Sequence, residues 1–320
     1  MNHKRKLFKN LGLFLLPISI FIAALFMMPF DKQYAYHFLK NECDDKGAWI
    51  YDRMFTNPHP VDMAFIGSSR IKASVMEVAV EDSLKKLGLN ISVVNLGYCR
   101  WGRNLDYVIA KDLLLNKQVK YLIVELHEEE ERLSHIDFAY IADSRDVLAP
   151  VAFFNQEIFV DYYHALAIRF EIFKKNLLHI HPHFIVNNDD HGYGFSMQKA
   201  NPDDLAMIVK RRKEGPQYVD TKFEKWINVK YPLSYLEKIA TMAKAHHCKV
   251  FFLYLPGYGA DLQPAGAFDY CKQLGPVFLS PDSLLNDPAN WRDDAHFNDS
   301  GAVKLMSWVT TQMVPYLKDK

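Results

Sequence analysis

Beyond residue 60, short apolar runs alternate with longer stretches in which apolar positions recur every three or four residues. "MAFIG" (63–67) precedes "ASVMEVAVEDSLKKLG", and "ISVVNLG" (91–97) precedes "NLDYVIAKDLLLNK". "KYLIVEL" (120–126) leads into an acidic run of helical character, and "LSYLEKIATMAKAHH" leads into "KVFFLYLPG" (249–257). The chain closes on "GAVKLMSWVTTQMVPYL", again at helical spacing. Apolar runs of strand length that do not alternate are buried on both faces, and the helices between them are the crossovers a parallel sheet needs. The pattern predicts a doubly wound α/β fold of the flavodoxin-like kind, a three-layer α/β/α sandwich. Residues 134 to about 231 are aromatic-rich and irregular. They break the rhythm and read as an insertion over one edge, or a lid, within a domain spanning 61–320.

The start of the chain is of another kind. "MNHKRKLFKN" carries Lys4, Arg5, Lys6 and Lys9, and residues 11–30, "LGLFLLPISIFIAALFMMPF", carry no charge. Twenty apolar residues at about 1.5 Å rise match the roughly 30 Å hydrocarbon core of a bilayer. Pro17 is tolerable there, because neighbouring groups re-satisfy the freed carbonyl. Residues 1–10 then form a basic cytoplasmic tail, 11–30 a transmembrane helix and 31–60 a stalk with some helical character. The basic flank stays inside, so everything after Asp31 lies outside a bacterial-type cytoplasmic membrane. A cleaved signal peptide is the competing reading, but its apolar run would be shorter and a small-residue cleavage site would follow it. Lys+Arg and Asp+Glu both number 38, so the basic excess of an electrostatic nucleic-acid binder is missing. Cys43, Cys99, Cys248 and Cys271 are too scattered for a metal knuckle and remain open between disulfides and buried thiols.

In an open parallel sheet the working residues gather beyond the carboxyl ends of the strands. Gly67-Ser68-Ser69-Arg70 follows the first apolar run, Gly97 through Asn104 the second, and Glu125 through Glu131 the third. "WRDDAHFNDSGA" (291–302) stands directly before the last helix. A serine hydroxyl is a poor nucleophile until a base takes its proton, and a carboxylate orients that base. Asp293 and His296 are spaced so that the carboxylate turns back onto one imidazole nitrogen while the other faces outward; Asp294 is the poorer match. Ser69 at a strand-to-helix junction has backbone N–H groups and a helix start nearby, and Ser68 reads as the helix cap.

With these residues assembled, the chain resembles the SGNH (GDSL-like) hydrolase superfamily. "FIGSSR" looks like its first block, "VVNLGYCRWGRN" its second and "DDAHFNDSGA" its last. The resemblance implies Ser69 as nucleophile, His296 as base and Asp293 as its partner, with no cofactor. The Ser69 N–H and an N–H near Gly97 or Gly102 would hold the oxyanion. Two positions depart from the family pattern. The second block usually reads N-x-G-x-x-G, but Arg100 stands where its last glycine would be, and the next glycine is Gly102. The third usually ends Gly-x-Asn-Asp, whereas "VELHEEEE" has no asparagine to donate to an oxyanion. Membrane-anchored, extracytoplasmic relatives handle acyl groups on envelope polymers beside a multi-span acyltransferase. The resemblance therefore implies a serine esterase or O-acyltransferase acting on an ester-linked acyl group, acetyl in the first instance, of an extracytoplasmic glycan. The alternative is a catalytically degenerate module that binds glycan or scaffolds a membrane acyltransferase.

Other clusters carry simpler expectations. Glu128 to Glu131 read as a solvated helix start. Arg70, Arg100 and Arg103 fall near strand ends and either bind an anionic substrate or pair with those glutamates. "HIHPHF" alternates His179, His181 and His183, but Pro182 breaks a regular strand and no cysteine or carboxylate completes a zinc spacing. Asp189, Asp190 and His191 read as a loop.

Overall fold

A computed structural model describes residues 2–39, 46–128, 130–180, 182, 184, 192–194, 196–214, 221–261 and 267–318. Its centre is a sheet of five strands: β1 Met63–Ile66, β2 Val93–Asn95, β3 Tyr121–Leu126, β4 Lys249–Tyr254 and β5 Val277–Leu279. They are ordered β2-β1-β3-β4-β5, and every neighbouring pair is parallel. Four of the five are the apolar runs read from the sequence. β5 is three residues long, too short to carry a period of its own.

Parallel neighbours cannot be joined by tight turns, so helices carry the chain back. Those with a place in the argument are α1 Asn2–Met27, α2 Lys32–Phe38, α3 Lys46–Tyr51, α4 Ser69–Ser74, α5 Glu77–Lys86 and α6 Arg103–Asn116. Downstream come α7 Ile158–Leu177, α8 Pro202–Glu214, α9 Lys222–Ala245, α10 Ala267–Leu274 and α11 Asp299–Lys318. Successive side chains of a strand point to opposite faces, and the cores divide accordingly. Ala64, Ile66, Leu122, Val124 and Phe252 share one core with Val108 of α6 and Leu236 of α9. Met63, Phe65, Ile123, Phe251 and Leu253 share the other with Leu84 of α5 and Val309 of α11.

Three expectations need correction. Residues 31–60 are not a stalk: in their described part Tyr36, Ile50 and Met54 are buried in the first core, because α2 and α3 carry enough apolar surface to be drawn in. The described part of the acidic run after β3 is not helical; its Glu128 and Glu130 carboxylates are taken by buried Arg70 and Arg103 rather than by a helix start. The described parts of residues 134–231 form neither an edge cover nor a lid alone. α7 packs beside α1, while residues 192–194 and 196–200 lie on the opposite side, fastened through Gly194 N to Lys72 O (2.9 Å) and Ala200 N to Trp291 O (2.8 Å).

Helix α1 includes most of the expected basic tail and continues through the apolar run. Its segment Lys4–Met27 contains an 18-residue window of mean hydropathy 2.2 and is long and apolar enough to cross a membrane. Where it leaves that segment it is fastened to the domain. The Arg169 guanidinium of α7 lies 4.6 Å from the Phe26 ring and 4.7 Å from the Phe30 ring. Phe21 meets Phe170 and Phe173 edge-on, at 6.4 and 5.6 Å.

Candidate active site

With strand order 2-1-3-4-5, the winding direction reverses between β1 and β3, and the crevice opened there is where such sheets place their chemistry. The residues at that point come from "GSSR". A Cβ on Gly67 would stand 2.3 Å from Glu125 Oε2 and 2.8 Å from Ile71 Cγ1. Only glycine lets the strand end so close to the buried carboxylate. Ser68 caps α4, its Oγ accepting from Arg70 N at 3.1 Å. Glu125, at the end of β3, accepts from Ser68 N (2.6 Å) and Ser68 Oγ (3.1 Å). Ser69 is the first residue of α4 and is half-buried.

The other half comes from a loop that cannot shift freely. Trp291 and Phe297 form an antiparallel bridge, and Arg292 N donates to His296 O at 2.9 Å. Buried Asn298 donates to Ala289 O (2.9 Å) and Trp291 O (3.1 Å) and accepts from Gly301 N (3.1 Å). Inside the loop, Asp293 Oδ1 accepts from Ala295 N (2.9 Å) and His296 N (2.8 Å). His296 Nδ1 stands 2.8 Å from Oδ1 and 3.0 Å from Oδ2, and Nε2 reaches Ser69 Oγ at 2.7 Å. Burial alone would push the Asp293 carboxyl up. The hydrogen bond and charge of His296, with the two backbone N–H groups, hold it well below the usual carboxylate range. Asp294 turns away to Arg212, 3.4 Å off.

Ser69, His296 and Asp293 are therefore joined in one hydrogen-bonded chain. A serine bonded to an imidazole that is itself held by an ionised carboxylate can transfer its proton and attack a carbonyl. A scan against protein-family models finds no match, and no curated protein matches the chain. The functional reading thus rests on this geometry and on the motifs.

The oxyanion side differs from expectation. The Gly97 N–H is already bonded to Asn95 Oδ1 at 2.9 Å, so it is not a free donor. Asn95 also donates to Ile71 O (3.0 Å) and Val75 O (2.9 Å), and a Cβ on Gly97 would meet Lys72 N at 2.5 Å. This pair docks α4 onto the sheet. Gly102 opens α6 against His135, whose Cβ would be 2.3 Å from an added methyl. Arg100, where the motif would have glycine, has φ 53°, a left-handed conformation that suits glycine.

Arg70 and Arg103 are not free to bind an anionic substrate. Arg70 makes a bidentate pair with Glu128, one arm at 2.9 Å, and donates to Leu255 O at 2.8 Å. Arg103 is buried with Glu130 and with Asp106, 3.0 Å away. Glu128 and Glu130 are consequently half-buried ion-pair partners rather than a solvated helix start, and Glu129 lies outside the described residues. Arg100 stays exposed.

Three residues near the nucleophile were not singled out from the sequence. Glu125, at the end of β3, holds Ser68, the neighbour of the nucleophile. His127 Nδ1 is 3.3 Å from Glu125 Oε1. Burial would raise the Glu125 carboxyl, but His127, Arg70 and the Ser68 N–H bring it down to about 2. Trp101, 42% exposed, stacks on the His127 ring at 5.2 Å and lies 5.2 Å from the Arg70 guanidinium. Polar residues inside "VELHE" were the one available signal.

Cys99 is disulfide-bonded, whereas Cys248 and Cys271 are free and buried; Cys43 lies outside the described residues. Among the described residues one group has metal-ligand spacing, Cys99 with His135 and Asp137. The disulfide takes its thiolate, and His135 Nε2 stands 2.7 Å from Cys99 O. His179 is exposed just beyond α7, while His181, His183, Asp189, Asp190 and His191 lie outside the described residues. A cavity of about 750 Å³ lined by His247, Cys248 and Tyr316 sits at the amino end of β4, the opposite end of the sheet from Ser69.

Proposed function

We propose that the chain is an SGNH-like serine esterase or O-acyltransferase of three-layer α/β/α type, anchored by α1 with its bulk outside the membrane. Its substrate would be an ester-linked acyl group, acetyl in the first instance, on an extracytoplasmic glycan, with a multi-span membrane acyltransferase as the natural partner. The observation that carries the reading is the Ser69–His296–Asp293 chain, at 2.7 and 2.8 Å. Ser69 Oγ attacks the acyl carbonyl carbon as its proton passes to His296 Nε2. The ester C–O bond then breaks, and His296 returns the proton to the departing alcohol. Water or a sugar hydroxyl, deprotonated by the same imidazole, attacks the acyl-Ser69 ester and restores the serine. Asp293 keeps Nδ1 protonated, so that Nε2 is the basic nitrogen. The Ser69 N–H, which has no acceptor among the described residues, is one donor to the oxyanion, and His127, held against the Glu125 that binds Ser68, is the candidate for the second.

One observation favours a second reading, a glycan-binding scaffold without turnover. The Gly97 N–H is committed to Asn95, and the loop after β3 contributes carboxylates already paired with arginines. Detergent-solubilised full-length protein, treated with a fluorophosphonate probe and with p-nitrophenyl acetate, separates the two. Labelling and turnover that vanish in Ser69→Ala support the enzyme. Identical behaviour of wild type and Ser69→Ala in both assays removes the nucleophile and leaves the scaffold.

A further inference from the structure

Helix α7 has two apolar faces where a helix of a soluble domain needs one. The inner face, Ala165, Ile168 and Ile172, is buried against the domain. Roughly opposite it run Phe159, Tyr163, Leu166, Phe170, Phe173 and Leu177, spaced four and three residues apart along the helix. This second stripe lies outward: Phe159 is 83% exposed, Tyr163 69% and Leu177 62%. Scattered exposed apolar residues are ordinary, but an unbroken stripe over a 20-residue helix is not.

What covers the stripe is indicated by its neighbour. Phe21, inside the apolar segment of α1, rests on Phe170 and Phe173 of the stripe itself. On the other side of α7, Lys175 reaches up to Asp31, just past the end of that segment, and its Nζ lies 5.5 Å from the Tyr34 ring. Arg169, buried against Phe26 and Phe30, ties the two helices together. The stripe thus faces the depth of the membrane segment, while the lysine points back toward the domain. A helix with an aromatic and leucine face toward hydrocarbon and lysines at its flank is how a helix lies in a membrane interface.

We propose that α7 is a second membrane-contacting element, lying in the outer interface of the bilayer with its outward stripe against the lipid acyl chains. The inference rests on the reading of α1 as a membrane span. It implies that the domain is held close to the bilayer in one orientation instead of swinging on a tether.

Photo-crosslinking tests it. Full-length protein is reconstituted in phosphatidylcholine–phosphatidylglycerol vesicles that contain a phospholipid with a diazirine on its acyl chain. Lipid adducts are mapped on peptides after irradiation. Adducts on α7 at a yield within a few-fold of α1, and roughly tenfold above the soluble-side helix α11, are expected for interfacial burial. Adducts on α1 alone overturn the proposal and leave the span standing. Adducts on neither helix overturn both. Absence of lipid adducts on α7, with chemical cross-links joining α7 of two copies, overturns it in favour of a protein-covered seam.

Discussion

Replacing Asp293 by Asn separates the electrostatic job of the carboxylate from its structural one. Asp293 Oδ1 accepts two backbone N–H groups within the loop, and an Asn Oδ1 can keep both. What changes is the contact with His296 Nδ1, at 2.8 and 3.0 Å from the two carboxylate oxygens. An amide N–H₂ turned toward that nitrogen favours the tautomer with the proton on Nε2. That proton faces Ser69 Oγ, and the base is lost. In a fully buried triad the same exchange lowers kcat by about 10⁴. Asp293 is 42% exposed, so solvent screens part of its effect and we expect a loss on the order of 10³, about 4 kcal/mol in the barrier. The fold should lose no more than about 1 kcal/mol, because the loop keeps its backbone bonds. Steady-state hydrolysis of p-nitrophenyl acetate and the rate of fluorophosphonate labelling report the first quantity, and thermal melts report the second. Asp294→Asn is the matched control and should stay near wild type. If Asp293→Asn retains activity within about threefold while Ser69→Ala is dead, the carboxylate does not orient His296 and the reasoning fails.

Three further outcomes follow from the same geometry. His127→Ala should reduce kcat by about 10²–10³ with little change in KM if its imidazole helps hold the oxyanion; an unchanged kcat and labelling rate would exclude it. The Glu125 carboxyl, held near 2 instead of its ordinary 4.5, contributes roughly 3 kcal/mol that is present above pH 4.5 and lost as pH falls through 2. Urea unfolding at pH 6 and pH 2 should show this loss in wild type and not in Glu125→Gln. Asp161 runs the opposite way. Burial, aided by the charge of Glu157 and against hydrogen bonds from Ser134 and Asn155, raises its carboxyl to about 7. Its contribution is full below about pH 4 and lost as pH rises through 7. Wild type should therefore melt lower at pH 8.5 than at pH 5, and Asp161→Asn should flatten that difference; an equal slope in both would place the titration elsewhere.

Much of this architecture was legible in the chain because two physical signals were strong. Buried strands such as "MAFI" and "FFLY" advertise themselves by continuous apolarity, and the helices between them by period. The site's two halves were legible because Ser69 and His296 stand at junctions between elements, where side chains escape the core. What stayed hidden depends on partners distant in sequence. Nothing local marks Glu128 as paired with Arg70 or Glu130 with Arg103, since charge runs look solvated until a buried arginine is found opposite. Likewise Gly97 looked like a donor until Asn95 was seen to occupy its N–H. The hold of Glu125 on Ser68 joins the ends of two neighbouring strands, which no single segment encodes. Residues 31–60 misled because their polar content hides a few fully buried anchors, Tyr36 and Met54 among them.

The bond between His296 and Ser69 joins positions 227 residues apart, and the histidine stands just before the last helix. The order of synthesis therefore matters. A chain that emerges N-terminus first exposes its serine early, but the base arrives only with the final segment. Under the proposed reading of α1 as a membrane span, the Ser69–His296 contact would assemble only once almost the whole domain had been delivered to one side. A product truncated before residue 296 would carry Ser69 without the imidazole that bonds it.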